Sequence, residues 1–290
     1  MRDYLIRATA MNGNVRAFAV HTTQLTEELR RRHNTTPTAS AALGRTAAAA
    51  AMMGAMLKGD ERLTVQVQGN GPLGKIIVDA NASGQISGYV EHPEVDLPLN
   101  ALGKLDIAAA VGTEGLLNVV KDLGLKEPYS GSVPLISGEL GEDFTAYFTS
   151  SEQTPSAVGL GVLVDVDYSI KAAGGFIVQV MPGITDEQLD ELETRLAVLT
   201  PLTTMLAEGA TLEQVLSSVL GEEIIATEEL DVRFHCQCSR ARVEQALISL
   251  GMAELQAILD EQGEAEVNCH FCNENYTFTD RDLQGVMANM

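Results

Sequence analysis

Residues 63–90 read LTVQVQGNGPLGKIIVDANASGQISGYV, and two architectures compete for them. Gly69-Asn70-Gly71-Pro72-Leu73-Gly74 spells the G-x-G-x-x-G of a dinucleotide-binding turn, with Lys75 next and Glu91 farther on. That turn needs a helix N-terminus after the glycines, because free helical N–H groups hold the pyrophosphate. The run after these glycines is instead KIIVDA (75–80), which has strand character, and Pro72 suits a hairpin. The glycine motif is therefore a turn. LTVQVQG (63–69), KIIVDA and QISGYV (85–90) form short strands, and the fold expected is α+β with largely antiparallel sheets rather than doubly wound.

Outward from this meander, the spacing predicts helices from about Thr38 to Leu57 and from Thr113 to Leu123. Further strands are expected at DFTAYF (143–148), VGLGVLVDV (158–166) and GFIVQVM (175–181), with Gly174-Gly175 as the connection into the last. Arg30, Arg31 and Arg32 read as the cationic last turn of a helix beginning near Thr26. Ala39 to Leu57 is apolar but mostly alanine and contains Arg45, so a buried helix of a soluble domain is expected rather than a membrane span. The N-terminus alternates polar and apolar residues and has no signal-peptide pattern; a cytoplasmic location is expected.

Charge divides the 290 residues. Nineteen basic and forty acidic side chains give −21, which disfavours nucleic acid and anionic membrane as partners. Residues 1–180, the α+β core, hold 14 basic and 19 acidic groups. Residues 181–230 hold one basic residue, Arg195, against eleven acidic, and read as an acidic helical linker. Its helices are punctuated by two capping boxes, Thr185 with Gln188 and Thr211 with Gln214. Between them, Thr200-Pro201 starts a short helix and Gly209 ends it, and each helix carries one apolar stripe that must dock to be stable.

Residues 231–290 hold four basic and ten acidic groups and all four cysteines: Cys236 and Cys238 in HCQC, Cys269 and Cys272 in CHFC. A C-x-C and a C-x-x-C bracketing thirty residues (239–268) let two close pairs converge on one tetrahedral ion, and zinc suits four thiolates. Four cysteines are too few for a disulfide scaffold. His235 and His270 flank the motifs and read as solvent-facing or supporting groups. His92-Pro93-Glu94 matches the H-x-E of zinc deaminases, yet Asn268 stands where the P-C-x-x-C partner needs proline, and two cysteines would lack a role. A closed site with four sulphurs leaves no vacant position for substrate, and no Ser, His and Asp arrangement for nucleophilic catalysis can be assembled, so an enzyme is not expected. A zinc-ribbon docking or nucleic-acid-binding module with a purely structural zinc is the alternative reading; it calls for basic, aromatic surfaces near the cysteines, where the tail is net −6.

GYVEHPEVDLPLN (88–100), GKLDIAAAVG (103–112), VVKDLGLKEPYSG (119–131) and GELGEDFTAYFTSSEQTPSAVGLGVLV (138–164) are similar to the core domain of the 33 kDa heat-shock protein family of redox-regulated bacterial chaperones. AAGGFIVQVMPG (172–183) resembles its passage into the linker, and the cysteine spacing resembles its zinc switch. The resemblance implies an ATP-independent holdase, inactive while reduced with one zinc ion on Cys236, Cys238, Cys269 and Cys272. It also implies disulfides Cys236–Cys238 and Cys269–Cys272 on oxidation, zinc release, unfolding of the switch (231–290) and the linker, dimerisation, and capture of unfolding client proteins. Neighbouring-pair disulfides would close tiny loops and could not replace a metal cross-link between the two motifs.

Overall fold

The computed structural model describes residues 2–221, 224, 226–288 and 290. Contacts divide the chain into Met1–His235 and Cys236–Met290.

In the first unit, alternation sets the opening hairpin. β1 (Tyr4–Ala10) pairs with β2 (Val15–His21), with Leu5, Phe18 and Val20 on one face and Ile6, Ala8, Ala17 and Ala19 on the other. α1 (Thr23–His33) follows, and its last turn holds the arginine run, with Arg30 2.6 Å from Glu27 and Arg32 2.7 Å from Glu28. α2 (Pro37–Gly54) starts where Thr36 accepts the Ala39 N–H and Pro37 takes the first helical position. Alanine and glycine cover it almost all round, so it lies buried between two sheets and contacts strands of both.

β3 (Arg62–Gly69), β4 (Lys75–Asn81) and β5 (Gln85–Val90) form the expected meander, Gln68 opposite Lys75 across the glycine turn. The glycines serve close approach. α3 (Ile107–Val111) abuts the turn, the Gly71 N–H donates to the Val111 carbonyl at 2.9 Å, and a Cβ on Gly71 would collide with the Ala110 carbonyl.

Two expectations are corrected. Residues 113–123 contain a strand, β6 (Gly115–Asp122), not a helix: Leu117 and Val119 point inward, Leu116 and Val120 outward, and β3 and the edge strand β7 (Tyr129–Pro134) flank it. Paired neighbours override a short apolar run whose period is ambiguous. DFTAYF lies in a helix, α4 (Gly141–Ser150), not a strand. The buried Asp143 carboxylate accepts N–H bonds from Ile136 (2.6 Å), Ser137 (3.0 Å) and Leu140 (2.8 Å), fixing the first turn, and Phe144, Tyr147 and Phe148 pack at helical spacing.

β8 (Ser156–Val164) and β9 (Ile170–Val180) close the core, and Gly174-Gly175 lies within β9 rather than ahead of it. There a Cβ on Gly174 would collide with the Val20 carbonyl and come within 2.9 Å of Leu206 Cδ1. The linker follows as α5 (Asp186–Ala197), α6 (Leu202–Ala207) and α7 (Leu212–Leu220), with both capping boxes formed and Pro201 one position ahead of α6. Leu192, Leu202, Leu206, Leu212, Val215, Leu216 and Val219 pack on Ile6, Ala8, Ala17, Ala19, Phe176 and Val178. Small alanines on the strands let the helices settle close to the sheet.

The chain then returns to the core through β10 (Glu228–Asp231), beside β1, and β11 (Arg233–Phe234), parallel to β5. The sheets thus run β10-β1-β2-β9-β8 and β11-β5-β4-β3-β6-β7, antiparallel at every pairing but the last-named β11–β5. Because of these returning strands the first unit extends to His235, beyond the change in composition at Asp231.

The second unit comprises α8 (Arg240–Leu250), α9 (Met252–Gln262), the hairpin β12 (Glu264–Asn268) and β13 (Asn275–Thr279), and α10 (Asp280–Ala288). Gly251, at φ 88, separates α8 from α9 as its position in the sequence suggests. Val243, Leu247, Leu255, Ala265, Phe278, Leu283 and Val286 make its small core.

Candidate metal centre

Each cysteine pair is set by its local backbone. Cys236 and Cys238 lie on the extended segment before α8, where Ser239 caps the helix by accepting the Arg242 N–H. Arg240 fastens that helix start: it donates to the Thr277 carbonyl at 2.8 Å, pairs with Asp282 at 3.0 Å, and lies 4.2 Å from the Phe278 ring centroid. Cys269 and Cys272 sit on the turn between β12 and β13. The Cys272 and Asn273 N–H groups both donate to the Cys269 carbonyl, and Asn273 adopts φ 57, which asparagine tolerates better than most residues. Asn268 Nδ2 donates to Asn275 Oδ1 at 2.7 Å and ties the turn across its base.

Among the described residues, these four side chains form the group able to hold a metal ion: the sulphurs of Cys236, Cys238, Cys269 and Cys272 all lie within 4.8 Å of one another. Cys236 and Cys269 are 3.7 Å apart and Cys238 and Cys272 3.2 Å, and each of these contacts joins one motif to the other. Metal–sulphur bonds of ~2.3 Å in a tetrahedron require sulphur–sulphur edges of roughly 3.8 Å, and the cluster fits that size. Cys272 is buried, the others half-buried.

The proton balance of the cluster is uneven. Burial, then the neighbouring Cys238 and Cys269 thiols, pushes Cys236 up to about 11, against one backbone hydrogen bond that lowers it. Burial and Cys238 likewise raise Cys272. At Cys238, burial is outweighed by the Tyr276 hydroxyl, 3.1 Å from its sulphur, together with the other three thiols, so this thiol falls below its ordinary value. Tyr276 is itself raised, chiefly by that hydrogen bond. The surroundings of Cys238 therefore favour its thiolate, and a dication held by the set favours thiolate at all four.

Tyr276 was not legible as a site residue in the sequence. Its signal is positional: it stands on β13 opposite Val267, four residues past Cys272. His235 and His270 are exposed and outside the sulphur group. His92 and Glu94 form only an exposed pair at 3.7 Å. The arginine run lies in the first unit, where Arg32 also sits 4.3 Å from the Phe234 ring centroid. No helix among the described residues is long and apolar enough to cross a membrane.

Comparison with known proteins covers the whole chain. The chain is 54% identical over 284 residues to the 33 kDa chaperonin of Bacillus subtilis (strain 168), spanning 98% of each. It is 53% identical over 291 residues to the 33 kDa chaperonin of Bacillus cereus (strain B4264), spanning 100% of each. The crystal structure of the 33 kDa chaperonin (heat shock protein 33 homolog) of Thermotoga maritima superposes with TM-score 0.94 at 36% identity, covering 100% of this chain and 99% of that one. The model of the Hsp33 protein family matches residues 3–279, and with relatives this similar over the full length, the chain belongs to the Hsp33 family and is an Hsp33-type chaperone.

Proposed function

We propose that the chain is a redox-regulated, ATP-independent holdase of the cytoplasm. In the reduced, inactive form Cys236, Cys238, Cys269 and Cys272 hold one Zn2+; the active form carries disulfides Cys236–Cys238 and Cys269–Cys272. The observation that carries this reading is the convergence of the four sulphurs from both motifs within 4.8 Å, in a unit of roughly 55 residues with a small core. When bound, the ion cross-links the two motifs and supplies folding free energy to a domain whose small core makes it marginal by itself.

The same thiolates are what an oxidant attacks. Two peroxide molecules take four electrons from the four thiolates and four protons from solvent, two S–S bonds form, four waters leave, and the ion, left without thiolate ligands, would be released. The sulphurs are then spent within each motif, and nothing joins Cys236 and Cys238 to Cys269 and Cys272. Cys236–Met290 unfolds, and the disorder reaches β11, two residues ahead of Cys236. The helices α5, α6 and α7 then leave the first sheet, baring the rows of Leu192, Leu206, Leu216 and Val219 to the apolar segments of unfolding proteins. The net charge of −10 on residues 181–230 keeps the complexes dispersed, and the activated chains pair as dimers.

The test compares aggregation of a thermally unfolding client beside the reduced and the peroxide-treated chain, while free thiols and released metal are counted. Protection only after oxidation is expected; equal protection in both states refutes the switch.

A further inference from the structure

Arg195 is the one basic side chain among residues 181–230, and the fold gives it a particular place. It stands in the last turn of α5, where its guanidinium donates to Glu191 Oε1 at 2.6 Å. The same guanidinium lies against Gly221, the left-handed residue that ends α7 at φ 77; a Cβ at that position would collide with it. Arg195 Nε is buried and finds no partner among the described residues. A cleft of ≈ 200 Å³ opens beside it, bordered by Val198, Leu199 and Thr200 past the end of α5, Met205 of α6 and Ser218 of α7. A cation is thus held at the C-terminal end of α7, where the last carbonyls lack helical partners and the helix dipole is negative.

We propose that Arg195 is a clasp: it closes α5 onto the C-terminal cap of α7 and sets the threshold at which the acidic segment leaves the core sheet. The segment is otherwise self-repelling, with eleven acidic side chains, and the clasp joins its first and third helices so that they dock as one body. Gly221 is required for the same reason, because any side chain there displaces the guanidinium. The regulatory half of this inference rests on the holdase reading above.

The experiment uses the full-length reduced chain and its Arg195→Gln variant, which keeps a polar side chain and removes the charge. Amide exchange across α7 is expected to accelerate about tenfold, the scale of a half-buried cation at a helix C-terminus, with β3 and β6 amides unchanged. The peroxide dose needed for client protection should fall in parallel, and Arg195→Lys, which restores charge without the planar fork, should lie between. Unchanged α7 exchange in Arg195→Gln overturns the clasp, as does equal acceleration in β3 and β6. Faster α7 exchange with no protection of client at any oxidant dose supports the clasp and counts instead against the holdase reading.

Discussion

Replacing Leu216 by alanine should partly activate the chain without any oxidant. Leu216 is fully buried on α7 and faces the apolar side of the first sheet formed by residues such as Ala17, Ala19 and Val178. Burying leucine at such a site and then truncating it costs roughly 2–5 kcal/mol, because the transfer energy is lost and the cavity refills only in part. Taking ~3 kcal/mol, and assigning it to the local opening of the helical segment, raises the open population about 150-fold at ~1.4 kcal/mol per decade. The thiols are untouched, so metal retention and thiol count should match the parent. The assay is client aggregation at fixed chaperone concentration under reducing conditions, beside amide exchange of α7. Leu117→Ala is the control: Leu117 is equally buried, but in the six-stranded sheet away from the linker. Both variants should lose stability, and only Leu216→Ala should gain client protection while reduced. Equal protection by both, or by neither while α7 exchange accelerates, refutes the idea that release of this segment exposes the client surface.

Other outcomes rest on the same geometry. Chelation of the metal from the reduced chain should strip amide protection from α8, α9 and α10 while β3, β4 and β6 keep theirs, read by exchange before and after a chelator. Peptide mapping of the oxidised chain should find Cys236 joined to Cys238 and Cys269 to Cys272. The cross-motif pairs, 3.7 and 3.2 Å apart in the folded state, would staple the unit shut, and their recovery as the active species would sink the unfolding step. Asp79 is held above the ordinary carboxylate range, chiefly by burial, against the Thr64 hydroxyl at 2.6 Å and the Arg62 charge. A raised carboxyl gives stability that is full below its unfolded value of about 3.9 and is lost as pH rises through the folded value. Asp79→Asn should therefore raise the thermal midpoint at pH 7, with the gain vanishing below about pH 4; a gain that persists in acid contradicts the assignment.

The parts of the fold that were legible were those with local chemistry. Thr185 with Gln188 and Thr211 with Gln214 announce helix starts that form as read, because a capping box is closed within four residues. Gly71 and Pro72 announced a turn for the same reason. What misled was decided by distant partners. Residues 115–122 become a strand because β3 and β7 lie on either side, and no neighbour in sequence says so. DFTAYF carries aromatics suited to a strand, yet Asp143 collects N–H groups from the preceding loop and commits the segment to a helix. At the site, the four cysteines were evident from spacing, while Tyr276 was not, since its hydroxyl meets Cys238 across 38 residues.

The acidic helical segment is pinned at both ends to one sheet. It departs from β9 and returns as β10, three strand positions away in the order β10-β1-β2-β9 and toward the same end of the strands. At ~4.8 Å per strand the two anchors stand roughly 15 Å apart. A segment that leaves the sheet while those anchors hold forms a closed loop rather than a free tail. Its way back is then a first-order event at the high local concentration of a tethered partner, on the order of millimolar. Once the thiols are reduced, recapture of the loop should proceed at a rate independent of how much protein is present, and it would compete directly with any polypeptide resting in its place.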